Sequence, residues 1–124
     1  MGTSIRLVAP YQIKLAVKEA EFQQQVIEMA QLNGWLVAHF RPAQTSKGWR
    51  TPVSADGAGF PDLVMARRGY KIFAELKVNA KLSDKQRLWL DELGPTTDRC
   101  LVVLWRPADW PQIEAALKFR RWGA

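Results

Sequence analysis

The stretch Pro61-Asp62-Leu63-Val64-Met65-Ala66-Arg67-Arg68-Gly69-Tyr70-Lys71-Ile72-Phe73-Ala74-Glu75-Leu76-Lys77-Val78 decides how this chain is read. Two apolar runs, Asp62 to Ala66 and Lys71 to Val78, flank Arg67-Arg68-Gly69-Tyr70, where a glycine permits a reversal. Runs so spaced are expected to form an antiparallel hairpin. Residues two apart on a strand share a face and lie about 7 Å from each other. Glu75 and Lys77 therefore point the same way and Leu76 the other, and the hairpin can return Asp62 to the neighbourhood of Glu75.

Outward from the hairpin, the helical spacing of Phe22, Val26, Met29 and Ala30 predicts a first helix from about Gln12 to Leu32, stopped by Asn33-Gly34. Trp35 to Phe40 is expected to be a strand bounded by Arg41-Pro42. Gln44 to Gly59 has no periodicity and is expected to be a long loop. Its Lys47, Trp49 and Arg50 combine cations with an aromatic able to stack on a base or sugar, which suits either a DNA-binding surface or a plain solvated loop. Ser83 followed three residues later by Gln86 is a capping-box pattern, opening a helix that ends at Gly94-Pro95 with Leu88, Trp89 and Leu93 inward. Cys100 to Trp105 is almost wholly apolar and is expected to be a strand interior to the sheet, covered on both faces. Asp109 and Pro111 begin a last helix, with Ile113, Ala116, Leu117 and Phe119 on its buried face and Arg120-Arg121 at its C-terminal end. The order helix, three strands, helix, strand, helix predicts an α/β fold. With 124 residues and no repeat or linker, one domain spanning 1–124 is expected.

A net charge of +6 and a pI near 9.8 favour polyanionic partners. Cys100 is the sole cysteine, which excludes a disulfide framework and a cysteine-based zinc site, and its apolar neighbours predict a buried thiol. His39 is likewise alone, which excludes a histidine-rich metal centre. The first ten residues lack the apolar centre of a signal peptide, and no apolar run reaches the length of a membrane span. A reducing cytoplasmic setting without membrane attachment is the expectation.

Two acids and a lysine gathered on paired strands suit metal-dependent phosphodiester hydrolysis, which must neutralise the phosphate, activate water and stabilise the leaving oxyanion. Asp62 and Glu75 are the expected ligands of magnesium or manganese, with the backbone carbonyl of Leu76 beside them. Lys77 is expected to orient or help deprotonate the attacking water and to screen the phosphate. A Glu-x-Lys triplet is common by chance, and a structural salt bridge on an exposed sheet face is its alternative explanation.

Gly59-Phe60-Pro61-Asp62-Leu63, then Ala74-Glu75-Leu76-Lys77, then Leu82-Ser83-Asp84-Lys85-Gln86-Arg87-Leu88-Trp89-Leu90 resemble, in order, the motifs of the PD-(D/E)xK nuclease superfamily. They are most similar to its VRR-NUC branch, whose small stand-alone members occur in bacteriophages, and the similarity runs from about Glu19 to the last helix. The resemblance implies a restriction-endonuclease-like core, a mixed sheet of about four strands flanked by helices in the order α-β-β-β-α-β-α. It implies a glutamate on the first helix as a further catalytic acid and metal ligand. Glu19, on the side of the buried stripe, fits that place better than Glu21. Gln86 matches the family's helix glutamine, which supports the lysine or binds near the phosphate, beside the capping role its spacing suggests. The activity implied is that of a Mg2+- or Mn2+-dependent endodeoxyribonuclease. The implied substrate is branched DNA such as Holliday junctions, cut by a homodimer, in the host cytoplasm if the chain is phage-encoded. A flap- or end-directed nuclease of the same fold, and a DNA-binding module that has lost catalysis, are the alternatives.

Overall fold

The computed structural model describes residues 10–40, 43–45, 48–50 and 54–119. Its elements are α1 (Pro10–Leu32), β1 (Leu36–His39), β2 (Ala43–Thr45), β3 (Gly48–Arg50), β4 (Leu63–Arg67), β5 (Tyr70–Leu76), α2 (Asp84–Leu93), β6 (Cys100–Trp105), a 3-10 turn (Pro107–Asp109) and α3 (Trp110–Lys118).

The β4–β5 hairpin turns on Arg68 (φ 51°) and Gly69 (φ 86°). Positive φ at both central residues of a two-residue connection is the geometry whose twist matches that of the flanking strands. The turn sets the register, with Arg67 opposite Tyr70 and Leu63 opposite Ala74. One residue further along, Asp62 falls opposite Glu75. β1 joins the outer side of β4 antiparallel, from Leu36–Ala66 to His39–Leu63. β6 joins β5 in parallel, from Lys71–Cys100 to Leu76–Trp105, and the crossover that parallel pairing needs carries α2. The sheet order is β1-β4-β5-β6, and the fold is α/β with a mixed four-stranded sheet and three helices.

Alternation along the hairpin separates two faces. Leu63, Met65, Ile72, Ala74 and Leu76 are buried in one core with Phe22, Val26 and Ala30 of α1 and Ile113 and Leu117 of α3. Each large side chain so buried contributes about 1.5–3 kcal/mol. Arg67 ties the helix ends to this core. Its guanidinium lies 4.4 Å from the Trp35 ring centroid and donates to the carbonyls of Asn33 (2.9 Å), Leu117 (3.0 Å) and Phe119, while Trp35 Nε1 donates to the Leu117 carbonyl at 2.9 Å. On the opposite face Phe73 meets Phe60 edge-on at 6.2 Å, and Phe60 meets Trp89 of α2 at 4.9 Å and Phe40 at 5.5 Å. Thus α2 rests on an aromatic cluster, and the site lies on its side of the sheet.

Several expectations require correction. β6 is an edge strand among the described residues, because the crossover returns the chain to the free side of β5. Its apolar character reflects partial cover on both faces, with only Trp105 fully buried and Cys100 partly exposed. The segment expected as a structureless loop carries the β2–β3 hairpin, in which Ala43 pairs with Arg50, Gln44 with Trp49 and Thr45 with Gly48. Backbone pairing here needs no apolar period, so periodicity gave no sign of it. Lys47, Arg120 and Arg121 lie outside the described residues, and Trp49 and Arg50 fall on β3. α2 buries no residue fully and Leu88 is 57 % exposed, while Trp89 packs edge-on against Phe60 in the segment before β4. Phe119 lies past the end of α3 and is exposed rather than buried. Among the described residues no helix is long and apolar enough to cross a membrane.

Candidate active site

The ends of three strands converge on Asp62. Its carbonyl accepts from Phe40 N at 2.9 Å, which extends the β1–β4 pairing by one bond, and its Oδ2 accepts from Leu76 N at 3.0 Å. The backbone therefore aims this carboxylate from both sides. Glu75, one strand over, is only 2 % exposed, the one charged side chain among the fully buried residues described. Past the end of β5, Lys77 N donates to Trp105 O at 3.1 Å, so β6 anchors the lysine's backbone. Lys77 Nζ stands 4.0 Å from Glu75 Oε2, with 16 % of its side chain exposed.

The fourth contributor comes from α2. Gln86 Nε2 donates to Glu75 Oε2 at 3.0 Å, its Oε1 accepts from Ser83 N at 2.8 Å, and its own N donates to Ser83 Oγ at 3.1 Å. Capping and site contact are alternatives in the sequence; in the structure one amide performs both. The cap engages the oxygen end of the amide, leaving the nitrogen end for the carboxylate.

Burial pushes the Glu75 carboxyl up to about 8, with the negative charge of Asp62 and a hydrogen bond to its carboxyl adding to the rise. Lys77 and the Asp62 backbone pull the other way without offsetting them. An exposed structural salt bridge would show neither this burial nor this rise. Two adjacent carboxyls face the Lys77 ammonium, 4.0 Å from Glu75 Oε2, whose pull does not offset burial and the Asp62 charge. An all-oxygen donor set without histidine or cysteine suits a hard divalent cation such as magnesium or manganese. Asp62 and Glu75 fit that group.

Other expected contributors stand differently. Glu19 is half-buried on α1 and Glu21 exposed. Among the described residues no three of His, Cys, Asp and Glu gather closely enough to hold an ion. Leu76 meets the site through its N–H, bound to Asp62, whereas its carbonyl is the metal donor the sequence suggests. Residues that sequence reasoning passed over are Ser83 as the orienter of the Gln86 amide and Phe60 as the seat of Trp89. The available signal was glutamine at the third position of a capping box, where a glutamate serves the cap equally well. Compared with protein-family models and with curated proteins, the chain matches none, and its functional reading rests on the geometry above.

Proposed function

We propose that this chain is a metal-dependent, structure-specific DNA endonuclease that hydrolyses phosphodiester bonds in branched DNA such as Holliday junctions, acting as a homodimer in the cytoplasm. The observation that carries the reading is the buried Glu75 carboxyl held against Asp62, with Lys77 on the same side. A chain that gained nothing from this pair would be more stable with neutral side chains in their place. Asp62 and Glu75 would hold the cation, Asp62 oriented by Leu76 N–H and Glu75 by Gln86. When bound, magnesium or manganese supplies Lewis acidity that activates water and neutralises phosphate charge. Lys77 places a positive charge beside the carboxyls, where it screens a phosphate and donates hydrogen bonds that orient the attacking water. The net charge of +6 supports a polyanionic substrate.

The test is cleavage of labelled four-way junction, flap, single-stranded and linear duplex DNA with magnesium, manganese or EDTA. Metal-dependent cutting, strongest on the junction and abolished in Asp62→Asn and Lys77→Ala, is the expected result. Binding without cutting of any substrate would replace this reading with a DNA-binding module.

A further inference from the structure

Gly59, the residue that opens the Gly59-Phe60-Pro61-Asp62-Leu63 run, occupies a place that admits no side chain. It has φ +88°, and a Cβ built on it would lie 2.7 Å from both the carbonyl carbon and the Cβ of Lys85, and 2.9 Å from Gln86 N. Lys85 and Gln86 belong to the first turn of α2, so this backbone-to-backbone approach is where the helix start meets the segment leading into Pro61-Asp62. The next residue, Phe60, stacks edge-on against Trp89 at 4.9 Å, one turn further along the helix. Gln86 reaches Glu75 from this same first turn.

We propose that Gly59 is a positioning residue for the carboxylate pair: its lack of a side chain lets the first turn of α2 seat closely enough for Gln86 to hold Glu75. Any side chain at residue 59 must either displace Lys85 and Gln86 or abandon the left-handed φ, and both withdraw the Gln86 amide from Glu75 Oε2. A 3.0 Å hydrogen bond tolerates a displacement of only a few tenths of an ångström before weakening. Glu75 then loses the donor that occupies one of its oxygens and fixes which way the carboxyl faces. Gly59 itself touches no reacting atom; it acts through Gln86.

This inference deepens the nuclease reading and rests on it for its kinetic arm alone. In Gly59→Ala, kcat is expected to fall about 10- to 100-fold with the midpoint for metal raised, as for loss of outer partners of metal ligands, while KM for DNA stays unchanged. Gln86→Leu should give a similar loss, and the double variant should be no worse than Gln86→Leu alone, because both act through one hydrogen bond. A double variant losing the product of the two single effects would overturn the proposal and place the action of Gly59 on Asp62 or the fold at large.

The second arm needs no activity. In the metal-free protein the Gln86 side-chain amide should show a nitrogen–proton resonance displaced from that of a free glutamine and slow to exchange. In Gly59→Ala it should return to the free position, while the resonances of the β4–β5 strands stay in place. An unmoved Gln86 resonance sinks the proposal even if the wild type cuts DNA; a moved one sustains it even if no substrate is cut. Should Gly59→Ala fail to fold, Lys85→Ile crowds the same approach from the exposed helix side without straining the backbone of residue 59, with Lys85→Met as the control for the missing charge. The same two readouts then apply, and a Gln86 resonance in Lys85→Ile identical to that in Lys85→Met counts against the proposal.

Discussion

Replacing Glu75 by glutamine should make the metal-free protein more stable, and the pH dependence of the gain should identify why. Glutamine keeps the size of the side chain, its amide oxygen can accept the Gln86 donor, and its amide nitrogen can donate to the Asp62 carboxylate. Lys77 loses a partner only at 4.0 Å. For the wild type the sign follows from the raised carboxyl. Below pH 4.5 Glu75 is protonated folded and unfolded alike, so it leaves stability independent of pH there. Between 4.5 and about 8 the folded state holds a proton that the unfolded state has released, and stability falls as pH rises. Above about 8 both forms are ionised and the loss is complete. At about 1.4 kcal/mol per pH unit the cost near neutrality reaches about 3 kcal/mol, and water access and relaxation around the pair reduce it to about 1–3 kcal/mol. The expected signature is therefore no difference between Glu75→Gln and wild type near pH 4.5, growing to about 1–3 kcal/mol in favour of the variant by pH 8. Urea unfolding in EDTA across this range measures it directly. Added magnesium should stabilise the wild type and leave the variant unmoved, because only the wild type retains both carboxylates. A variant less stable than wild type at pH 8, or an offset independent of pH, would refute the argument and make Glu75 a structural ion-pair partner of Lys77.

Three further outcomes are expected. Arg68 holds φ 51° with an exposed side chain, so Arg68→Asn should raise stability by about 0.5–1 kcal/mol in thermal or urea unfolding, asparagine being the residue type suited to that turn position. Arg67→Ala should cost about 2–3 kcal/mol by removing its bonds to carbonyls and its place over the Trp35 ring, and Arg67→Lys should recover little of it, because a point-charge ammonium cannot span Asn33, Leu117 and the Trp35 face together. Replacing both Lys47 and Arg50 by alanine should weaken DNA binding and flatten its dependence on salt by about one unit of logarithmic slope for each phosphate no longer neutralised, read by fluorescence anisotropy at several salt concentrations; an unchanged slope would remove that segment from the DNA surface.

The periodic elements were legible because their faces are. Phe22, Val26 and Ala30 mark the buried stripe of α1, and alternation marks the inward residues of β4 and β5. Ser83 and Gln86 announce the start of α2, and the capping box forms as expected. Where the chain lacks a period or a cover, the reading failed: the β2–β3 hairpin is held by backbone pairing, and an apolar strand such as β6 reads alike at the centre of a sheet or at its edge. Glu19 could be ranked above Glu21 by its side of the helix, but its distance from Asp62 and Glu75 depends on how α1 packs, which no local pattern encodes.

By itself the sequence determined which residues alternate, where helices begin and end, and that Glu75 lies on a strand with Lys77 just past its end and Asp62 just before the neighbouring strand, since all of this follows from local sterics and the two periods of regular backbone. The tertiary structure decided how these residues meet. A two-residue turn of positive φ sets Asp62 opposite Glu75, and the seating of α2 on Gly59 carries Gln86 to a carboxyl that burial has left largely uncompensated. Register, burial and the approach of a helix are properties of packing between segments distant along the chain, and so is the charge state of Glu75 that follows from them.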